Sequence, residues 1–217
     1  MEKFGHMEDW QTNSDHYRDI FWKTMDEWAD PSRADEGAVF IENVPNHEEM
    51  LAECQRYTSW NPESAYPLVS GRKRHERYWN TTSNKYEEKP EDRVGTRGFA
   101  IPTKEDFPTM YEFLKSNEHQ YFRPEISKLD AGGHIFPHSH SSPIFVEEWI
   151  FNMSLNFPDN CKFAVRPSGI IPFQAGDVYK LRGRNLHSVI NESDEPRYHI
   201  MMRTKEYMRD YEKLLNE

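Results

Sequence analysis

The sequence predicts a mainly β protein, its strands closed into a sandwich or barrel with helices packed outside. Three observations point there. From Tyr121 onward, seven short β-like runs follow one another at regular spacing. Gly, Pro, Asn and Asp fill the gaps between them. Helical periodicity is confined to the stretches before and after that region. With 217 residues, 36% hydrophobic and 14% aromatic, the chain is long enough to bury one core and too rich in aromatics to remain disordered. We expect one domain over 1–217: a helical and loop-rich part (1–120), a β core (121–203) and a C-terminal helix (204–217).

In order along the chain, Ser14 can cap a helix over Asp15 to Ala29. There Tyr17, Ile20, Phe21, Met25 and Trp28 recur at helical spacing, and Pro31 closes the stretch. Ala38 to Ile41 reads as a short strand. Asn46 followed by Glu49 resembles a helix start running to about Tyr57. Residues 58–100, rich in Pro, Asn, Ser and Gly, carry no assignable element, and Phe107 to Lys115 reads as a further helix. The expected strands are Glu125 to Leu129, His134 to Phe136, Glu148 to Asn156, Lys162 to Val165, Asp177 to Leu181, His187 to Asn191 and Arg197 to Met202. Turn residues separate them, including Gly132-Gly133 and Ala175-Gly176. Lys205 to Leu215 reads as a closing helix with Met208, Tyr211 and Leu215 on its apolar edge.

Composition narrows the partners. Net charge is −10, from 27 basic against 37 acidic residues, which argues against a sequence-independent nucleic-acid surface. The run from Arg72 to Arg77 reads as a solvated loop or as a site for an anionic substrate. Cys54 and Cys161 are too few and too far apart for a disulfide framework or a thiolate zinc site. No apolar run approaches the roughly 18 residues a membrane span needs, and the first ten residues are too charged for a secretory signal. We therefore expect a cytoplasmic protein acting on a small molecule, without nucleic-acid or membrane partners.

Ten histidines are unevenly placed. His138 and His140 are two apart, so on a strand they share a face and can converge on one metal while Ser139 points away. Imidazole suits iron, zinc and copper, and His187, starting a later strand, is the natural third ligand. The other reading is three hydrogen-bonded or surface histidines. His134 shares the parity of His138 and His140, which fits a supporting or a purely structural place. Arg197 opens the strand ten residues after His187. Its guanidinium can grip a carboxylate of a dicarboxylic cosubstrate in a two-bond fork, or pair at the surface with Glu192, Asp194 or Glu195.

The run Gly133-His134-Ile135-Phe136-Pro137-His138, then Phe151 to Asn156 leading to Cys161-Lys162, then Gly176-Asp177, His187 and Arg197, resembles the aspartyl/asparaginyl β-hydroxylase family and its cis-proline hydroxylase relatives. The resemblance spans about residues 124 to 203. It implies a double-stranded β-helix (a cupin-like jelly roll) and an Fe(II)- and 2-oxoglutarate-dependent dioxygenase that hydroxylates an amino acid or peptide-like substrate. It further implies His138 and His187 as metal ligands, with Arg197 on the far carboxylate of 2-oxoglutarate. Asn152 falls where some members have a cosubstrate-contacting histidine, and Ser188 is a further candidate there. His140 departs from the pattern, since the cis-proline hydroxylases have aspartate there and the aspartyl hydroxylases glycine. A neutral imidazole raises the site's charge by one unit over a carboxylate and favours Fe(II).

Two other readings stay open. Gly132-x5-His138-x-His140 and Gly176-x10-His187-x3-Asn191 resemble the two cupin motifs, which implies a three-histidine metal dioxygenase or isomerase that does not use 2-oxoglutarate. The third is a non-catalytic β-helix domain that binds a ligand.

Overall fold

The computed structural model describes residues 29–61, 77–80, 85–88, 97–138 and 149–205, with the backbone alone for 77–80, 85–88, 97, 134 and 136–138. The helix expected before Pro31, the basic run at 72–76, His140 and the closing helix past Lys205 lie outside the described residues.

Two antiparallel sheets face each other. The larger takes strands β1 (Ala38–Asn43), β4 (Arg97–Ala100), β5 (Phe122–Leu129), β7 (Trp149–Ser154), β10 (Asp177–Arg182) and β12 (Arg197–Arg203), in the order β1-β10-β7-β12-β5-β4. The smaller runs β6-β11-β8-β9, from β6 (His134–His138), β8 (Cys161–Val165), β9 (Gly169–Ile170) and β11 (His187–Asn191). A separate hairpin pairs β2 (Arg77–Asn80) with β3 (Lys85–Glu88). Every expected strand is present, with ends shifted by a few residues. The stretch 58–100 holds three strands that its composition hides, and β1 and β4, from the part expected to be helical and loop-rich, are built into the large sheet.

Alternation sorts the large sheet into two faces. Ile126, Met153, Ile200 and Met202 form its outer apolar face, packed against Met50 and Cys54 of α1 (His47–Arg56) and Met110 and Leu114 of α2 (Pro108–Ser116). Leu129 and Leu181 face the other way, clustering with Phe163, Val165 and Val189 of the small sheet. The same parity puts Glu125, Ser127, Asn152, Ser154, Arg197 and His199, all buried, on the inner face. One face is therefore oily and closed by helices, while the inner one carries a buried polar strip. No helix among the described residues is long and apolar enough to cross a membrane.

The helix starts depart from simple side-chain capping. Asn46 makes no cap bond; instead the His47 ring nitrogen Nδ1 bonds the carbonyl of Val44 at 2.9 Å. Phe107, ahead of α2, has no capping side chain either, and the carboxylate of Glu53 from α1 accepts from the backbone N–H of Thr109 at 2.6 Å and of Met110 at 3.1 Å. Gly176 sits at φ +84 in the turn before β10, where an added Cβ would come within 2.7 Å of both the Val44 carbonyl oxygen and the His47 ring. Only glycine fits both the conformation and the space.

Candidate functional site

The site forms where the small sheet meets the inner face of the large one. β11 lies between β6 and β8, and its register sets His187 directly opposite His138 on one side and Val165 on the other. Pro137 has no N–H to give the ladder, and the β6–β11 pairing shifts between His187 and Val189 before resuming. The backbone register therefore makes the two expected metal ligands cross-strand neighbours.

The His187 ring is fixed in its tautomer. Nδ1 lies 2.8 Å from the carbonyl oxygen of Asn185, which can only accept, so Nδ1 carries the hydrogen and the neutral ring has its lone pair on Nε2. This is the arrangement by which a backbone carbonyl orients a metal-binding imidazole. The ring also stacks almost parallel on Phe163, 11° apart with centroids at 6.5 Å.

Arg197 is only 2% exposed, so its guanidinium lies inside the molecule and not on a solvated surface. Its guanidinium carbon stands 5.4 Å from the Phe163 ring centre and 5.9 Å from that of Phe157. Phe163 is thus a shared wall between the metal-ligand candidate and the carboxylate-binding candidate. Burial pushes the Cys161 thiol up to about 11, and the positive charge of Arg197 pulls against that rise, so the guanidinium's field is felt across this corner. The backbone around Arg197 is clamped by one amide. Asn156 donates from Nδ2 to the Pro196 carbonyl and accepts at Oδ1 from the Tyr198 N–H.

Asn152 is buried on the inner face, opposite Met201 of β12 and Tyr179 of β10, and so shares the face of Arg197. Ser188 does not. Its parity on β11 is opposite to that of His187, and its hydroxyl donates to the Ile135 carbonyl at 2.7 Å, a bond that ties β11 to β6. The expected part for Ser188 in cosubstrate binding is replaced by this structural one. Asn191, the last residue of the cupin-like pattern, likewise holds turns together: its amide donates to the carbonyls of Leu129, Asp130 and Glu195. His140 lies outside the described residues, and among those described no three His, Cys, Asp or Glu side chains form a metal-binding group.

One residue escaped the sequence reading. His199 is 1% exposed, and its ring meets Phe173 edge-on at 5.1 Å, Phe163 at 6.4 Å and Phe157 at 6.2 Å. The signal was available: it stands two residues after Arg197 on the same strand.

These residues suit a metal and a dicarboxylic acid. His187 presents an oriented lone pair of the kind Fe(II) accepts, and Arg197 holds a fork-shaped cation in a dry aromatic surround where a carboxylate meets little competition from water. Two solved prolyl hydroxylases agree in fold. A prolyl hydroxylase from Trichoplax adhaerens, solved in complex with a hypoxia inducible factor oxygen degradation domain peptide fragment, superposes with a TM-score of 0.55 at 11% identity, over 93% of this chain and 95% of its own. A Pseudomonas putida prolyl-4-hydroxylase gives 0.50 at 12% identity, over 78% and 93%. The oxalate decarboxylase of Lactobacillus farciminis is 22% identical over 53% of this chain, which spans 30% of that protein's length, with a TM-score of 0.35. No curated protein matches by sequence. The family model for aspartyl/asparaginyl β-hydroxylases matches residues 45–206, most of the 217-residue chain, and the chain belongs to that family of iron- and 2-oxoglutarate-dependent hydroxylases.

Proposed function

We propose that this chain hydroxylates an amino acid or peptide-like substrate with Fe(II) and 2-oxoglutarate bound between its two sheets. His138 and His187 are the metal ligands, His140 the third, Arg197 holds the far carboxylate of the cosubstrate, and Asn152 assists it. When bound, iron and 2-oxoglutarate supply the oxidising power, through O₂ reduction coupled to decarboxylation of the cosubstrate to succinate. The observation that carries the reading is the pairing of His187 with His138 while Arg197 shares the Phe163 wall with His187.

Each residue acts through simple chemistry. The Asn185 carbonyl holds the His187 ring so that Nε2 presents a lone pair without rotating. Arg197 fixes the cosubstrate by a charge-assisted fork, and its buried setting makes that grip stronger than it would be in water. Phe157 and Phe163 exclude water from the guanidinium, which favours an anionic ligand over a hydrated one. The dry, buried guanidinium favours this reading over a three-histidine enzyme without cosubstrate, in which Arg197 has no part. A succinate-release assay with Fe(II), 2-oxoglutarate and a panel of free amino acids and peptides tests it. Iron-dependent succinate formation stimulated by one member of the panel is expected. Iron binding with no 2-oxoglutarate turnover or affinity would overturn it in favour of the three-histidine alternative.

A further inference from the structure

We propose that the rim of the two sheets at the His187 end is a docking surface for an acidic polypeptide segment, the part of a peptide substrate that flanks the residue to be hydroxylated. The inference rests on the function proposed above and gives its substrate a chemical class. Three cations carry it: Lys180 and Arg182, half-buried on the outer face of β10, and Arg166, exposed one residue past β8. Register sets Arg182 opposite Trp149, and Lys180 between Phe151 and Val39. The Lys180 ammonium stands 5.4 Å and the Arg182 guanidinium carbon 5.8 Å from the centre of the Trp149 ring, so one indole braces both charges. Among the described residues none of the three side chains makes a hydrogen bond or an ion pair. Glu36, whose carboxylate feels the field of Arg182, is taken by Arg33 through two bonds at 2.9 and 2.7 Å.

The three backbones meet beside the expected metal ligand. The Gly37 carbonyl accepts from the Arg182 N–H at 2.9 Å, and a Cβ added to Gly37 would lie 2.9 Å from the Arg166 carbonyl oxygen. Arg166 donates its own N–H to the carbonyl of Leu186, the residue before His187, at 2.9 Å. The turn that leaves Arg182 closes with the Asn185 N–H at 3.0 Å, and the Asn185 carbonyl orients the His187 ring. Lys180 and Arg182 are about 6.6 Å apart along their strand at the usual rise, and Arg166 lies across Gly37 from Arg182. A single carboxylate engages one of these cations; a chain bearing several engages them all. A nucleic acid would need a longer basic track and open rings for its bases, whereas the ring here already carries two cations.

The test titrates the full chain, anaerobically and with or without Fe(II) and 2-oxoglutarate, against three fluorescent probes of equal length. They are a Glu-Gly-Ser peptide, the same peptide with Gln for Glu, and single-stranded DNA. Anisotropy should show the acidic peptide bound, with affinity that falls as salt rises, and the Gln peptide roughly tenfold weaker. Lys180→Gln combined with Arg182→Gln should weaken the acidic peptide about three- to tenfold, the usual loss of two solvent-facing ion contacts, and leave iron and 2-oxoglutarate affinity unchanged. Lys180→Glu with Arg182→Glu should move the preference to a lysine-bearing peptide, which a merely structural role would not do. If the paired variants do not fold, Arg166→Gln, an exposed change outside the Trp149 stack, decides by the same acidic-to-Gln affinity ratio. Equal binding of the Gln peptide, wild-type affinity in the folded double variant, or DNA bound more tightly than the acidic peptide would overturn the inference. Acidic peptide bound with no succinate released from any panel member would sink the hydroxylase reading and leave the surface standing; turnover alongside charge-blind peptide binding would sink the surface alone.

Discussion

His187 is oriented by a backbone oxygen two residues before it, and in its proposed role as a metal ligand that gives its loss a sharp consequence. The Asn185 carbonyl holds Nδ1–H at 2.8 Å, so the ring cannot turn Nε2 away without losing a bond in a half-buried place. His187→Ala and His138→Ala should therefore lower iron affinity by orders of magnitude while circular dichroism stays unchanged, because the apolar clusters on both faces of the large sheet are built from other elements' aliphatic and aromatic side chains and the His187 ring is not among them. Stoichiometric iron in either purified variant would refute the ligand assignment. Arg197 should behave differently. Removing a buried fork to a carboxylate costs about 2–5 kcal/mol, so Arg197→Ala should cripple 2-oxoglutarate affinity and leave metal affinity nearly intact. Arg197→Lys should restore only part, since an ammonium cannot make two parallel bonds. His140 separates two coordination models. A ligating His140 tolerates His140→Asp, which recreates the two-histidine, one-carboxylate set used by non-haem iron oxygenases. Loss of turnover with iron retained in that variant would show that His140 contacts substrate instead.

The helices and strands that hold these residues depend on side chains that reach between elements. α2 begins at Pro108 without a capping side chain of its own, and Glu53 of α1 supplies the acceptor for two of its first N–H groups. Glu53→Ala would leave those donors buried without the carboxylate, at a cost of about 1–3 kcal/mol. For a chain of this size that lowers Tm by roughly 3–10 °C. Glu53→Gln should lose less, because its amide oxygen still accepts, and an unchanged melting curve for Glu53→Ala would show the cap to be idle. Such cross-element bonds are where a reading of the sequence runs out. Period-2 patterning located β11 to the residue and β10 and β12 to within one, because β10 lies between Gly176 and Gly183 and β12 follows Pro196, which mark their ends in the sequence. It missed β4 and the β2–β3 hairpin, which are four residues long in a stretch dominated by turn formers. It also read Asn46 as a cap, whereas the bond there comes from His47 to Val44.

Taken whole, the molecule packs apolar residues on the outer face of the large sheet and against the small sheet, and runs a strip of buried polar residues along the inner face of the large one. Spacing offered His138, His140 and His187 as a metal set and left Arg197 open between a carboxylate grip and a surface ion pair; the family resemblance supplied the choice, because metal and carboxylate binding demand particular side chains. His199 drew no notice because a lone histidine in a strand reads equally well as packing, and the expectation for Ser188 counted proximity in sequence without parity. The same architecture fixes how stability responds to pH. Burial raises the thiols of Cys54 and Cys161 and the phenols of Tyr121, Tyr179 and Tyr198, so these acids are held neutral in the folded state. An acid whose folded value lies above its unfolded one contributes stability that is complete below the unfolded value and disappears as pH rises through the folded one. For Cys161 that window runs from 9.0 to about 11 and is worth about 3 kcal/mol at most. The phenols, ordinarily near 10.0, extend the loss to higher pH. Tm measured from pH 7 to 11.5 should therefore be level up to about 9 and then fall continuously. Cys161→Ala begins from a lower Tm, having lost a buried sulfur, but should fall less steeply between pH 9 and 11 because one of the titrating groups is gone. A variant whose Tm declines in parallel with wild type across that interval would show that the Cys161 thiol does not couple to folding.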